Sequence, residues 1–339
     1  MIRYGKFLKN GSTIGICAPS DGANLERIDN AENNLKKFGF NIFETGNVRN
    51  SKYLVSADGK TRAEEFIELF SNDDIDMIIS ARGGEFLIDI LPFIHENKDV
   101  FMNSSKYFQG FSDNSLLCFY LTTNYNLATL NGENIGEFAM QNYHECLINN
   151  INFLTGSFKD NKFIQKSFDR FQNSYTDDSN GFITYNLDEK VEYKTLSGNK
   201  NIHIEGRILG GCIDVITQLI GTKYDNTINF CNSFREGIIF YIDNCELSVT
   251  ELYRRLIQMK NVGYFDNVNG ILIGRTFANK IVYDFDYITA LKKALLDLNI
   301  EVIYDVDIGH VPPQFLMING SYGVFDLKNN SATLTQVLK

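Results

Sequence analysis

The first half of the chain alternates short apolar runs with stretches of helical period. Thr13-Ile14-Gly15-Ile16-Cys17-Ala18 is apolar and is stopped by Pro19-Ser20, which predicts a buried strand. From Leu25 to Phe38, apolar residues fall at 25, 28, 31, 35 and 38, a helical spacing that Gly39 ends. The alternation continues with a strand over 40–43, an amphipathic helix over 61–70 and a strand over 75–80. Gly83-Gly84 then turns the chain into a helix over 86–94, followed by a strand over 107–111, a helix over 114–122 and a strand over 126–130. Such alternation predicts right-handed crossovers and a mostly parallel sheet, with chemistry at the carboxyl ends of its strands.

Polar, turn-rich runs at Phe158–Lys162 and Tyr175–Gly181 interrupt the pattern and read as a linker with some short strand. Beyond it, a helix is expected over 212–220, closed by Gly221, and a strand over 237–242. Ser248-Val249-Thr250-Glu251 is a capping box with Leu247 and Leu252 placed as a staple, so a helix should run over 249–259. A strand over 270–274, a helix over 287–298 and a strand over 300–304 follow. Phe315–Ile318, Asn319-Gly320 and Tyr322–Phe325 read as a hairpin with a type I′ turn, and 332–338 as a final strand. The expected architecture is α/β: a mostly parallel N-terminal domain over residues 1–157, a linker over 158–200, and a smaller mixed α/β domain over 201–339.

Composition narrows what such a molecule does. At 339 residues the chain is long enough for two domains with cores of their own. Its 32 basic against 42 acidic side chains leave a net charge of −10, which argues against a nucleic-acid partner. No run approaches the roughly 20 apolar residues of a membrane span, and the first residues lack a secretory apolar core. The six cysteines are scattered without a C-x-x-C pair, as in a reducing cytoplasm. Only four histidines are present, so a neutral-pH proton shuttle has four candidates: His95, His144, His203 and His310.

Six segments are candidates for chemistry. Gly110-Phe111-Ser112-Asp113-Asn114 joins a strand directly to a helix, the place of a nucleophile elbow, although a G-x-S-x-G pattern would want glycine at 114. The same segment also reads as an ordinary helix cap by Ser112 or Asp113. Arg82-Gly83-Gly84 ends another strand and is either an anion cradle or a tight turn. Gly206-Arg207-Ile208-Leu209-Gly210-Gly211 lacks a phosphate-loop ending and reads as close strand–helix packing. His310, between Gly309 and Val311-Pro312-Pro313, is a general base held in a stiff loop or a surface turn histidine. Asp243 and Glu246 end the strand at Phe240–Ile242, where a carboxylate could orient a histidine or complement the next helix. His144-Glu145-Cys146 offers a metal-ligand pair but no second cluster accompanies it.

Assembled in order, these segments resemble the serine peptidase family of LD-carboxypeptidases and microcin C immunity proteins. The resemblance runs from Gly15–Ser20 through Arg62, Phe70 and Ile75–Gly84 to Gly110–Asp113. It continues through Gly206-Arg207, Gly210–Cys212, Gly221-Thr222, Gly309–Gln314 and Ile318–Gly320. It implies an α/β nucleophile domain, a smaller mixed domain and a homodimer, with a Ser-Glu-His triad that needs no metal or cofactor. Carried over, the nucleophile is Ser112, the base His310, and the oxyanion donors the N–H groups of Asp113 and Gly84. The acid falls at Asp243 where the family has glutamate, one methylene longer, with Glu246 as the alternative. Arg82 beside Gly83 either pairs with a substrate carboxylate or braces its loop. The implied activity is amide hydrolysis in a small peptide-like substrate, first as a carboxypeptidase on a murein tetrapeptide. The alternatives are hydrolysis of a peptidyl or aminoacyl nucleotide, and a catalytically weak binding protein, which the Asp243 substitution motivates.

Overall fold

The computed structural model of the chain describes residues 1–173 and 181–339, so most of the polar run at 175–181 lies outside the described residues. The first half gives β1 (Thr13–Cys17), α1 (Leu25–Lys37), β2 (Asn41–Glu44), α2 (Gly59–Ser71) and β3 (Met77–Ser80). It continues with α3 (Leu91–Glu96), α4 (Lys98–Asn103), β4 (Phe108–Gln109), α5 (Ser115–Tyr125), β5 (Thr129–Asn131) and α6 (Glu145–Leu154). Asn24 and Asp58 accept the N–H groups of Arg27 and Thr61, which fixes the start of α1 at the expected Leu25 and that of α2 at Gly59, two residues before the expected one. β2, β1, β3, β4 and β5 pair side by side, all parallel.

The second half and its approach add β6 (Lys162–Lys166), β7 (Arg170–Phe171), β8 (Glu189–Lys190), β9 (Lys194–Thr195), β10 (Asn201–Cys212), α7 (Ile213–Ile216) and α8 (Thr227–Asn232). Then come β11 (Ile238–Asp243), α9 (Val249–Asn261), β12 (Val268–Gly274), α10 (Tyr287–Leu295), β13 (Glu301–Val306), β14 (Met317–Asn319), β15 (Tyr322–Lys328) and β16 (Ser331–Val337). The eight-stranded second sheet runs β6-β16-β15-β10-β11-β12-β13-β9. Its β10–β13 core is parallel and both flanks are antiparallel, the mixed character expected of this half. Both arms of the Ser248–Glu251 capping box form at the head of α9.

Helix α5 ties the halves together. It is apolar on every side, all its residues but Asn124 are buried, and it packs against β5, β14 and β10. The helix that follows Ser112 is therefore clamped between the two sheets.

Two sequence readings change. The expected hairpin does not form: β14 joins the first sheet antiparallel to β5, while β15 joins the second beside β10. Of Asn319-Gly320 only Gly320 has positive φ, as in a type II turn, which splays its arms where type I′ would pair them. The Asn319 amide is committed to β10 and β11 instead, accepting from Gly210 N–H (3.0 Å) and the Tyr241 hydroxyl (3.1 Å) and donating to Gly210 O (3.2 Å). Residues 158–200, read as a linker, supply β6 and β9 at the two edges of the second sheet. Buried Phe163 and Gln165 alternate with exposed residues along β6, a short period-2 signal inside a polar segment.

Candidate active site

The turn after β4 is held in an uncommon conformation. Ser112 has φ 63° although it carries a side chain, and α5 begins three residues later. Gly110 makes room: a Cβ there would sit 2.6 Å from Ser80 Oγ and 2.8 Å from Asn114 Cβ. Asn114 replaces the glycine of the elbow pattern for a visible reason. Its amide donates to Arg82 O (2.8 Å), fastening the elbow to the Arg82–Gly84 turn at the end of β3. That turn closes over the serine, since a Cβ on Gly83 would lie 2.7 Å from Ser112 Oγ. The buried Asp113 carboxylate accepts from Ser20 Oγ (2.5 Å) and Leu87 N–H (2.9 Å), drawing in the loop after β1 as well. Gly84 sits against that loop, where a Cβ would be 2.3 Å from Ser20 Oγ.

The other two groups come from the second sheet. Asp243 is the last residue of β11, and His310 follows β13 in the loop that carries the cis Pro312–Pro313 bond. His310 Nδ1 lies 2.6 Å from Asp243 Oδ2, and with a carboxylate opposite, Nδ1–H is the donor. The shorter acid reaches the ring directly because the loop lies close. A Cβ on Gly309, whose φ is +85°, would be 2.3 Å from Asp243 Cβ. Burial opposes protonation of His310, but the charge and hydrogen bond of Asp243 override it and hold its pKa well above the usual histidine value. Glu246 is exposed and makes no bond to His310. Its N–H, with those of Cys245 and Leu247, donates to the Asp214 carboxylate, which shapes the turn after β11.

Arg275, after β12, braces the His310 loop. It pairs with buried Asp307 and donates to Val311 O (3.3 Å) and Pro313 O (3.0 Å). Asp307 also accepts from the Tyr193 hydroxyl (2.5 Å) and Phe168 N–H (2.9 Å). The remaining histidines serve elsewhere. His95 bonds the Tyr120 hydroxyl, His203 pairs with Asp326, and His144 caps α6 by accepting Cys146 N–H. Cys212, Asp243 and His310 offer donor atoms within 4.8 Å of one another, the arrangement a metal could use. The donor set fits a metal poorly, because Asp243 Oδ2 and His310 Nδ1 hold each other and burial pushes the Cys212 thiol far up.

Ser112 and His310 line one cleft of about 500 Å³, with Gly83, Gly84 and Arg82 on its walls. His310 Nε2 has no hydrogen-bond partner among the described residues. Arg82 is 63% exposed and touches Asp21 at 3.5 Å, so its guanidinium stands at the cleft largely in solvent. The cleft also presents Arg27, Asn134 and Glu137, and Glu133 lies just beyond, none of them singled out by the sequence patterns. Burial pushes the Glu133 carboxyl up to about 8, with repulsion from Glu137 adding to it; burial also pushes Glu137 up to about 7. Both follow the carboxyl end of β5, and that position in a parallel sheet is the signal that could have found them.

Comparison with known proteins covers both halves. The family model described as the LD-carboxypeptidase N-terminal domain matches residues 14–132, and that described as the LD-carboxypeptidase C-terminal domain matches 205–323. A Vibrio cholerae protein that carries a carboxypeptidase name is 25% identical, covering 98% of this chain and 97% of its own. The Escherichia coli microcin C7 self-immunity protein MccF is 23% identical, covering 96% and 94%. The structure of MccF in complex with glutamyl sulfamoyl guanosine superposes with a TM-score of 0.83 at 21% identity, covering 100% of this chain and 99% of that one.

Proposed function

The chain belongs to the LD-carboxypeptidase family, and from that premise we propose that it is a serine hydrolase in which Ser112, His310 and Asp243 act as nucleophile, base and orienting acid. The observation that carries this reading is the 2.6 Å His310–Asp243 bond beside a positive-φ serine in one inter-domain cleft. Ser112 Oγ gives its proton to His310 Nε2 and attacks the scissile carbonyl carbon. The oxyanion is received by the N–H groups of Asp113 and Gly84. Asp243 fixes the imidazole tautomer and stabilises the imidazolium. His310 then protonates the leaving amine, and water, deprotonated by the same nitrogen, resolves the acyl-enzyme.

The first substrate reading is carboxypeptidase trimming of a murein tetrapeptide in the cytoplasm, with the enzyme as a homodimer. Arg82 at the cleft supports it as a partner for a terminal carboxylate. The second is hydrolysis of a peptidyl or aminoacyl nucleotide, supported by the end-to-end likeness to MccF, whose structures include complexes with glutamyl sulfamoyl guanosine and aspartyl sulfamoyl adenosine. Incubation with both substrate types and mass-spectrometric product analysis separates them; turnover of neither would sink both. A fluorophosphonate probe should label the wild type and not Ser112→Ala. Ser112→Ala and His310→Ala should each lower kcat by at least about 10³.

A further inference from the structure

The turn that follows Asp243 is gathered onto one side chain. Asp214 lies in the first turn of α7, which continues directly from β10, and β10 sets Cys212 opposite Asp243 in the sheet. The Asp214 carboxylate accepts three successive backbone N–H groups. Oδ2 takes that of Cys245 (3.1 Å), and Oδ1 takes those of Glu246 (2.8 Å) and Leu247 (3.2 Å). Oδ2 also accepts from Cys212 Sγ (3.3 Å), and that sulfur lies within 4.8 Å of a donor atom each of Asp243 and His310. Successive N–H groups that converge in a turn form a nest for an anion, and here the anion is a carboxylate of the chain itself.

We propose that Asp214 is a positioning residue for Asp243 and His310: by gathering the N–H groups of Cys245, Glu246 and Leu247 it fixes the chain direction at Asp243, and with it the 2.6 Å bond to the imidazole. This role belongs to the hydrolase reading above and rests on it. Asp243 is the last residue of β11, so sheet pairing holds the chain up to it and the turn must hold the chain beyond it. A misplacement of about 1 Å in a catalytic geometry can cost about 10² in rate. All three N–H groups are backbone, so one side chain, Asp214, controls them together. The groups that face His310 are distinct from it. Burial lowers the His310 pKa, Asp243 and then Cys245 raise it, and Glu133 and Glu137 border the same recess. Asp214 reaches the ring through the turn and Asp243.

The test is the rate at which a fluorophosphonate labels Ser112, followed against pH, because that rate needs neutral His310 and no particular substrate. In Asp214→Ala, labelling should slow at least about tenfold, as a misplaced acid would cause. Its inflection should also move down toward the ordinary histidine value of about 6.5. Formate, an anion small enough for the emptied nest, should restore part of the rate to Asp214→Ala. Asp214→Asn keeps one acceptor oxygen and should fall between Asp214→Ala and wild type; it carries the test if circular dichroism shows Asp214→Ala unfolded. Unchanged labelling, or slowed labelling with the inflection in place, would overturn the positioning role. Absence of labelling in the wild type would remove the hydrolase reading, and the low-field Nδ1–H proton resonance of His310 then decides the role. Its loss in Asp214→Ala supports positioning, and its persistence overturns it.

Discussion

At the scale of single residues, the choice between Asp243 and Glu246 is made by distance. Asp243 touches the histidine and Glu246 faces solvent, so Asp243→Ala should lower kcat by about 10³ or more while Glu246→Ala stays within about twofold of wild type. Steady-state kinetics on whichever substrate is turned over decides it; the reverse order of losses would reassign the acid. The same bond sets a pH dependence. Asp243 raises the His310 pKa above its ordinary value of about 6.5, and a base must be neutral to accept the serine proton. Activity should therefore rise through a pH above that value. Asp243→Asn removes the charge, so the acid limb of kcat/KM should move to lower pH even as the plateau falls. In stability the sign is opposite: the charged pair stabilises the fold below the unfolded histidine pKa, and that contribution is lost as pH rises through the raised one.

At the scale of elements, strand ends do the positioning. The ends of β3 and β4 bring Arg82–Gly84 and Ser112 together, and Asn114 and Asp113 fasten the two turns. On the other side, β12 delivers Arg275 to hold the carbonyls around Pro312 and so the pose of His310. Arg275→Met leaves the buried Asp307 carboxylate without its cation, and breaking such a pair costs about 3–5 kcal/mol. Urea denaturation should show a loss of that order. Adding Asp307→Asn should recover part of it without restoring activity, because the Val311 and Pro313 carbonyls stay unbraced. Full recovery of activity in the double variant would limit Arg275 to balancing charge.

At the scale of the whole molecule, α5 packs between the sheets and joins the two halves around one cleft. One half supplies the serine and the other the histidine and acid, so the cleft exists only where they meet. The buried acids beside it weigh on stability. Glu133 has a folded pKa of about 8 against an ordinary 4.5, so the fold favours its protonated form. Stability is then intact below the unfolded pKa and declines as pH rises through about 8. Glu133→Gln removes the decline. Its melting temperature should match wild type near pH 5 and exceed it by at least about 2 °C near pH 9 in a thermal scan. Equal melting temperatures at the higher pH would mean that Glu133 carries no such penalty.

Local pattern determined much of this. Hydrophobic period placed α1, α2, α9 and α10 within a few residues, because an amphipathic stripe and a cap are local properties. Glycine and proline punctuation at strand ends marked the Ser112 turn and the His310 loop as candidates, while the choice between cap and elbow, and between surface turn and base, came only with the family resemblance. The sequence left open which acid touches His310, because one methylene of reach is decided by how closely Gly309 lets the loop approach. It misassigned 315–325, because the Asn319 amide meets partners on β10 and β11, more than seventy positions away in the chain. It was silent on Glu133, Glu137 and Gln314, which line one recess only when the loop after β5 folds against the loop after β13. Period and capping act within a few residues, whereas strand partners and the groups facing a cleft are chosen by packing across the whole chain.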